Sequence, residues 1–254
     1  MRRVVCGLYD QRMNGHTCLI LTATVDVRSI PQLARSDIRT RLGDYSWALR
    51  QWLECDEVEN VVFVENSGYD LGVLQEIAKN SSKRMEFLSF DGQDFSRNLG
   101  KGYGEALNLE YVINNSEIVA ENRHVLIRAN GRQYVENIAS FIGALHQGTE
   151  MLCDLKQSLT WADESILGGT IDFFKSYVCP YGRQVDDSRG FYFEHALARA
   201  VHRGIADGLI WSPYPELPLV RGFSGTSNRS RDEGLLIRKK RELQHKLKLR
   251  MLRL

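Results

Sequence analysis

The sequence lacks a long apolar run and has few cysteines. Of its 254 residues, 43% are hydrophobic and 26% are charged, and no apolar run approaches the roughly 18–20 residues of a membrane-spanning helix. The first apolar stretch ends by Asp10, too soon for a secretory signal, so we expect a cytoplasmic protein. No CxxC pair and no histidine at zinc-ligand spacing accompanies the scattered cysteines, which we expect to be reduced core residues: Cys6, Cys18, Cys55, Cys153 and Cys179.

The net charge of +1 hides a basic C-terminal tail. Residues 229–254 hold ten Lys/Arg against three Asp/Glu, a net charge of +7, so the preceding 228 residues sum to −6. A near-neutral to acidic body argues against extended nucleic-acid binding. Within the tail, Leu236, Leu243, Leu247, Met251 and Leu254 are spaced by 7, 4, 4 and 3 residues, which predicts an amphipathic helix. Such a helix is expected to lie on an anionic membrane surface, dock on its own domain or form a dimer contact.

Short β-type runs alternate with helical patterns, which predicts an α/β fold with a mainly parallel, Rossmann-type sheet flanked by helices. Predicted strands cover residues 17–25, 60–65, 85–90, 124–128 and, less regularly, 151–155. Predicted helices cover a segment capped by Ser36 and residues 71–79, 105–115 and 135–145, followed by one that begins at 168–170 and one that carries Phe193. No repeat or low-complexity linker divides the chain. We therefore expect one domain over 1–228, with halves of about 1–148 and 149–228, and a tail over 229–254.

Polar, glycine-bearing patches follow the predicted strands or precede helices, at residues 65–70, 91–92, 100–105 and 128–132. In an open α/β sheet, ligands bind in the crevice beyond the carboxyl ends of the strands. Four patches from separate positions would converge on that crevice. The pattern predicts a site for a charged, phosphate-bearing small molecule.

Two of these patches favour phosphate binding. Residues 100–105 read GxGxG followed by Glu105, and Lys101 lies within them, so the backbone and a cation could approach a phosphate at a helix start. Arg128 and Arg132 flank an Asn-Gly pair after an apolar strand, and guanidinium groups match phosphate oxygens with paired donors. The alternatives are a flexible loop for the first patch and a surface turn for the second.

A carboxylate near a predicted helix start is the candidate general base. Glu194 and His195 begin the helix that carries Phe193, and either side chain could take a proton from a hydroxyl group. They could equally be ordinary first-turn residues, and Asp163 with Glu164 forms a competing carboxylate pair. The polar loop at 222–228 is either a lid over the ligand or a linker to the tail.

Six segments together resemble bacterial glycosyltransferases of lipopolysaccharide, O-antigen and capsule assembly. They are VENS (64–67), SFDG (89–92), GKGYGE (100–105), NGRQY (130–134), YFEH (192–195) and GFSGTS (222–227). The resemblance spans most of residues 17–228, and its most specific part is GKGYGE with the NGR element. It implies a GT-A-like enzyme with a nucleotide-binding half, an acceptor-binding half and a basic tail.

The sequence departs from the GT-A pattern at the strand over 124–128, where most such enzymes carry an Asp-x-Asp metal motif and this chain has Arg128 followed by NGR. We therefore predict no metal site, although a Mg²⁺ or Mn²⁺ requirement remains open. The catalytic candidates are Glu194, His195 and Asp163; the resemblance favours Glu194 and leaves Asp163 or Glu164 as the alternative. The predicted nucleotide-sugar contacts are Thr24, Arg41, Glu65, Asn66, Ser67, Asp91, Gly100, Lys101, Gly102, Gly104, Glu105, Arg128, Asn130, Gly131, Arg132, Ser224 and Thr226.

The function predicted from these residues is sugar transfer from a nucleotide-sugar donor to a glycan or lipid-linked acceptor, by an enzyme peripheral to the inner membrane. In that mechanism Glu194 takes the acceptor proton, and Arg128, Arg132 and Lys101 stabilise the departing nucleoside diphosphate. The alternatives are a nucleotidyltransferase and a non-catalytic nucleotide-sugar-binding assembly subunit. We expect no nucleic-acid partner.

Overall fold

The computed structural model describes residues 16–28, 34–121, 124–156, 158–223 and 235–252. Strands in this part of the chain are β1 His16–Ala23, β2 Asn60–Glu65, β3 Arg84–Ser89, β4 His124–Asn130, β5 Gln133–Val135, β6 Met151–Leu152, β7 Leu155–Lys156, β8 Trp161–Ala162, β9 Ile166–Gly169, β10 Trp211–Ser212 and β11 Val220–Gly222. Helices are α1 Ile38–Leu53, α2 Gly72–Ala78, α3 Lys101–Asn115, α4 Glu117–Ala120, α5 Ile138–His146, α6 Ile171–Phe173, α7 Cys179–Gly182, α8 Phe193–Ala206 and α9 Leu235–Leu252.

A seven-stranded sheet in the order β10-β6-β9-β4-β1-β2-β3 forms the centre of the fold. The β4-β1-β2-β3 block and the β10–β6 pair are parallel, whereas β9 runs antiparallel to both β4 and β6. Strand β2 is buried along its whole length, as expected for a central strand covered on both faces. This arrangement confirms the predicted α/β fold class, a mainly parallel sheet flanked by helices with a helix at the C-terminal end.

Alternating side chains of β1 divide the core into two layers. Leu19 and Leu21 pack with α1 and α5 on one face, whereas Cys18 and Ile20 pack with α3 and α8 on the other. Helices of both layers extend to the edge of the sheet where β1, β2 and β4 end, since residues of α1, α3 and α8 lie together there. Side chains from both faces can therefore reach one crevice there.

Helix α9 packs against the body of the protein. His245 is 6% exposed, and its Nε2 lies 2.9 Å from the Tyr214 carbonyl oxygen. Lys248 donates from Nζ to Asp154 Oδ1 at 2.5 Å and to the Leu155 carbonyl at 2.7 Å. Of the three roles predicted for the tail helix, docking on its own domain is therefore present in the structure.

Several predicted boundaries differ from the structure. The N-cap of α1 is Asp37, not Ser36, because the Asp37 carboxylate accepts the Thr40 N–H at 2.7 Å. Helix α3 begins at Lys101, so part of the glycine motif lies within its first turn. Residues 168–169, predicted to start a helix, end β9 because they pair with both β4 and β6.

Candidate functional site

A cavity of about 330 Å³ opens at the carboxyl ends of β1, β2 and β4, within the usual size range of small-ligand sites. Its walls are formed by the strand ends, the start of α3, the loop before β9 and the start of α8. Its lining comprises Thr22, Ala23, Thr24, Val27, Arg41, Tyr45, Asn66, Gln93, Phe95, Lys101, Gly102, Gly104, Glu105, Arg128, Asn130, Arg132, Gln133, Trp161, Glu164, Asp187, Tyr192, Phe193 and Glu194.

Two buried side chains of α1, Arg41 and Tyr45, reach this cavity. Arg41 is 4% exposed, and its Nε donates to the Thr24 carbonyl at 2.8 Å. Tyr45, one turn further along α1, donates to the same carbonyl at 3.1 Å and accepts the Thr24 N–H at 2.9 Å. The end of β1 therefore fixes both side chains of α1 against the cavity.

Arg132 differs from Arg41 because part of its guanidinium has no partner. It follows β4 and is only 6% exposed, and its Nε and Nη1 have no hydrogen-bond partner among the described residues. Burial lowers the pKa of Arg132, and the nearby positive charge of Arg41 lowers it further. Because a buried donor without an acceptor is unfavourable, an anion in the cavity would stabilise this side chain.

Arg128 also has one nitrogen, Nε, without a hydrogen-bond partner among the described residues, but unlike Arg132 it forms an ion pair. Its Nη2 lies 2.6 Å from Glu105 Oε1, and its Nη1 donates to the Glu164 carbonyl at 2.6 Å. Burial raises the pKa of the Glu105 carboxyl, and the positive charge of Arg128 opposes that rise. The guanidinium of Arg128 thus has a counter-charge within the protein, in addition to a backbone acceptor.

Glu194 brings a carboxylate to the cavity from the other face of the sheet. It lies in the first turn of α8. Burial, together with the negative charge of Glu164, raises the pKa of Glu194 to about 7, and Lys101 opposes the rise. A carboxyl group that titrates near neutrality is suited to accept a proton during catalysis.

Close packing explains the glycines at 100–105. A Cβ on Gly102 would lie 2.9 Å from the Phe193 Cβ, and one on Gly104 would lie 3.2 Å from the Asn66 side-chain nitrogen. Gly100 has φ +79°, and a Cβ there would run into the Asp187 carboxylate. Gly102 and Gly104 line the cavity, but they also allow α3 to approach α8 and the end of β2.

The Glu65 carboxylate, predicted from the sequence as a nucleotide-sugar contact, connects two strand ends in the structure. Glu65 is wholly buried, and its carboxylate accepts the N–H groups of Val25, Ser67 and Tyr69 at 2.8–3.0 Å. The Ser67 hydroxyl also donates to it. Neither Glu65 nor Ser67 lines the cavity.

Many of the predicted site residues come together in the cavity: Thr24, Arg41, Asn66, Lys101, Gly102, Gly104, Glu105, Arg128, Asn130, Arg132 and Glu194. Asn66 connects two of their elements, since its Oδ1 accepts the Thr24 hydroxyl at 2.6 Å and its Nδ2 donates to the Gly104 carbonyl at 3.0 Å.

Other predicted residues lie outside the cavity, for distinct physical reasons. The Asp91 carboxylate is exposed and accepts Arg28 Nη1 at 2.9 Å. Asp163 forms an ion pair with Lys156 and lines a separate small pocket beside α9, and His195 Nδ1 accepts the Tyr192 N–H at 3.2 Å. Local geometry explains why glycine occupies positions 100 and 131. Gly100 has a positive φ, and a Cβ on Gly131 would lie 2.9 Å from the Thr22 carbonyl oxygen. Ser224 and Thr226 lie outside the described residues.

The sequence interpretation missed the aromatic lining. Tyr45 lies on the apolar face of α1, where the helical pattern signals core packing rather than a ligand contact. Phe95 and Trp161 lie in irregular or short segments without a recognisable motif, and Tyr192 belongs to the YFEH segment but was not predicted as a contact. Across the described residues no group of three or more His, Cys, Asp or Glu side chains could hold a metal ion. No described helix is long and apolar enough to span a membrane.

No protein-family model and no curated protein matches this sequence. Solved structures match most of it at low identity. HddC from Yersinia pseudotuberculosis is 12% identical, with a TM-score of 0.43 over 81% of this chain and 93% of that one. A cytidylyltransferase from Leptospira borgpetersenii is 15% identical, with a TM-score of 0.44 over 80% and 77%. Core-mannan synthase A from Aspergillus fumigatus, in its Mn/GDP form, is 9% identical, with a TM-score of 0.39 over 78% and 72%.

Proposed function

We propose that this protein is a glycosyltransferase that takes a sugar from a nucleotide-sugar donor bound in the cavity. The observation that carries the proposal is the buried side chain of Arg132, which lines the cavity and has two nitrogens without a hydrogen-bond partner in the described part of the chain. A diphosphate would supply the missing acceptors, and Arg41 places a second buried cation beside it.

The carboxylate of Glu194 completes the chemistry. The acceptor hydroxyl oxygen forms a bond to the anomeric carbon of the donor while the bond from that carbon to the diphosphate oxygen breaks. The hydroxyl proton passes to Glu194, and the leaving diphosphate keeps the electron pair near Arg132 and Lys101. Preorganised cations of this kind stabilise the charge that develops as the bond breaks.

The outward face of α9 supports a membrane-associated acceptor. Leu243, Leu247 and Met251 are 61%, 49% and 68% exposed, although His245 on the opposite side of the helix is buried. The exposed cations Lys239, Lys240, Lys246 and Arg250 surround these apolar side chains. An apolar stripe bordered by positive charges fits an anionic lipid surface. With the motif resemblance, it supports a lipid-linked acceptor in the assembly of lipopolysaccharide, O-antigen or capsule.

Nucleotide binding provides the direct test. Thermal unfolding would be followed with UDP, GDP, CDP, dTDP, CMP and ADP, each with Mn²⁺ or EDTA, on wild-type protein, Arg132→Ala and the exposed control Arg50→Ala. A ligand at 100 times its dissociation constant stabilises the folded state by about 2.7 kcal/mol. We expect one nucleotide to raise the Tm of wild type and Arg50→Ala but not of Arg132→Ala.

Two other outcomes point to the alternative functions. Release of pyrophosphate from a nucleoside triphosphate and a sugar 1-phosphate would identify a nucleotidyltransferase. Nucleotide-sugar binding without transfer to any acceptor, unchanged in Glu194→Gln, would favour a non-catalytic assembly subunit. If no nucleotide shifts the Tm of the wild type, the proposed donor site is wrong.

A further inference from the structure

We infer that the groove beside the cavity mouth is an acceptor subsite for a saccharide that carries a negative charge, as a carboxylate or a phosphate. The inference rests on the proposed function, because it names the substrate that would meet Glu194. The groove has a volume of about 760 Å³ and runs along the outer side of α8. Its lining includes Phe191, His195, Arg189, Arg199 and His202.

An aromatic wall joins this groove to the cavity. Trp161 and Tyr192 line the cavity, and both pack against His195, which lines the groove. The Trp161 and His195 ring centroids are 4.9 Å apart, and those of Tyr192 and His195 are 5.7 Å apart. Phe191 continues the wall, stacked at 5.9 Å from His195. Half-exposed aromatic rings can pack against the apolar C–H faces of sugar rings, and the hydroxyl groups at the edge of the sugar remain available for hydrogen bonds.

The wall leads directly to the proposed base. Glu194 lies in the chain between Phe193 and His195 and lines the cavity next to Tyr192 and Trp161. A saccharide stacked along the wall would present a terminal hydroxyl to the Glu194 carboxylate. Donor and acceptor would thus enter from two sides of the same carboxylate.

The charges along the groove favour an anionic saccharide. Arg199 lies 4.3 Å from the centroid of the Phe191 ring, and neither Arg189 nor Arg199 forms an ion pair with a described residue. The one carboxylate in the lining, Asp186, accepts the N–H and hydroxyl of Ser188 at 3.1 and 2.6 Å. Two guanidinium groups beside an aromatic wall match a sugar ring that carries an anionic substituent.

Direct binding measurements on the full chain test the subsite without knowledge of the donor. Titration calorimetry would compare two pairs of probes: tetragalacturonate with neutral maltotetraose, and glucose 6-phosphate with glucose. We expect at least one anionic probe to bind more tightly than its neutral partner. Loss of a charge-assisted hydrogen bond in Arg199→Ala should weaken that binding about tenfold. The pair that responds tells whether the groove selects a carboxylate or a phosphate.

Arg203→Ala is the matched control, because Arg203 lies four residues further along α8, is exposed and pairs with Asp207. Its affinity for the anionic probe should stay within about twofold of wild type, since exposed ion pairs contribute little. Equal binding of neutral and anionic probes, absence of binding by all four, or equal losses in Arg199→Ala and Arg203→Ala would overturn the inference. Saccharide binding that persists while no nucleotide binds would instead contradict the proposed donor site and leave the subsite standing.

Discussion

Arg128 and Glu105 form an ion pair in the lining of the cavity, 2.6 Å between Nη2 and Oε1, with side chains 2% and 15% exposed. Arg128 comes from β4 and Glu105 from the fifth position of α3, so the pair joins the sheet to the helix that carries the glycine motif. Since each charge balances the other, both can stay buried without a ligand. The pair therefore joins two elements of the site, whereas Nε and Nη1 of Arg132 have no hydrogen-bond partner among the described residues.

Loss of the Glu105 charge should destabilise the fold. Glu105→Gln leaves the Arg128 guanidinium buried without a counter-charge, which typically lowers the free energy of unfolding by about 3–5 kcal/mol. Urea denaturation of the variant and of wild type measures the difference.

The double variant Glu105→Leu/Arg128→Met provides the control for this prediction. It removes both charges, so we expect it to be more stable than Glu105→Gln and near wild type. If Glu105→Gln unfolds at the same urea concentration as wild type, the pair has no structural role.

Transfer activity should depend on the ionisation of Glu194, whose pKa is raised to about 7. As a base, Glu194 acts only when ionised, so kcat/KM should rise with pH and level off above about 7. Glu164→Gln removes a neighbouring negative charge, so it should lower the pKa of Glu194 and move the rise in kcat/KM to lower pH. If kcat/KM rises over the same pH range in Glu164→Gln as in wild type, the charge of Glu164 does not raise the pKa of Glu194. Full activity of Glu194→Gln would exclude Glu194 as the base.

The same pKa shift predicts the sign of a stability effect. Because the folded-state pKa lies above the ordinary value of 4.5, the folded state binds more protons than the unfolded state between about pH 4.5 and 7. The contribution of Glu194 to stability therefore falls as pH rises through this window. Glu194→Gln should gain stability relative to wild type above pH 7 and show no such gain below pH 4.5, as thermal unfolding across pH can measure.

Two glycine variants separate close packing from helix propensity. In Gly102→Ala the new methyl group would lie 2.9 Å from the Phe193 Cβ, so α3 and α8 must move apart. Overpacking of this kind lowers stability by about 1–3 kcal/mol, and displacement of the α8 start should also lower kcat through Glu194. A methyl group added at Gly43 in α1 would meet no heavy atom within 4 Å, so Gly43→Ala should stabilise the protein by about 0.5–1 kcal/mol. Chemical denaturation of both variants compares them, and equal effects would show that contact with Phe193 is unimportant.

The sequence predicts the sheet better than it predicts the site. Strand β2 follows from a continuous apolar run and the helix starting near Ile38 from its helical periodicity, and the predicted range for β2 matches the structure. The role of Arg128 could not be predicted in this way, because its partner Glu105 comes from another element and only the folded chain shows that the pair is closed. Trp161 was missed for a related reason, since β8 is two residues long and carries no periodic signal.

The two faces of α9 should respond differently to substitution. Leu243→Ser/Leu247→Ser removes exposed apolar surface, so it should abolish co-sedimentation with vesicles that contain phosphatidylglycerol and change stability by less than about 0.5 kcal/mol. Lys248→Met acts on the buried face, where it leaves the Asp154 carboxylate, 3% exposed, without its cation. A buried group without its partner lowers the free energy of unfolding by about 1–3 kcal/mol, so this variant should have a lower Tm. Its α9 should also become accessible to limited proteolysis.

Vesicles of pure phosphatidylcholine and a salt titration complete this test of α9. Binding should be absent on the neutral vesicles and weaken with salt, because Lys239, Lys240, Lys246 and Arg250 supply an electrostatic share that counterions screen. Binding to both kinds of vesicle, or wild-type binding by Leu243→Ser/Leu247→Ser, would contradict the assignment of the outward face. If Lys248→Met bound vesicles like wild type but had a lower Tm, the two faces of α9 would have separate functions. The buried face would hold the helix on the enzyme, and the outward face would hold the enzyme on the membrane.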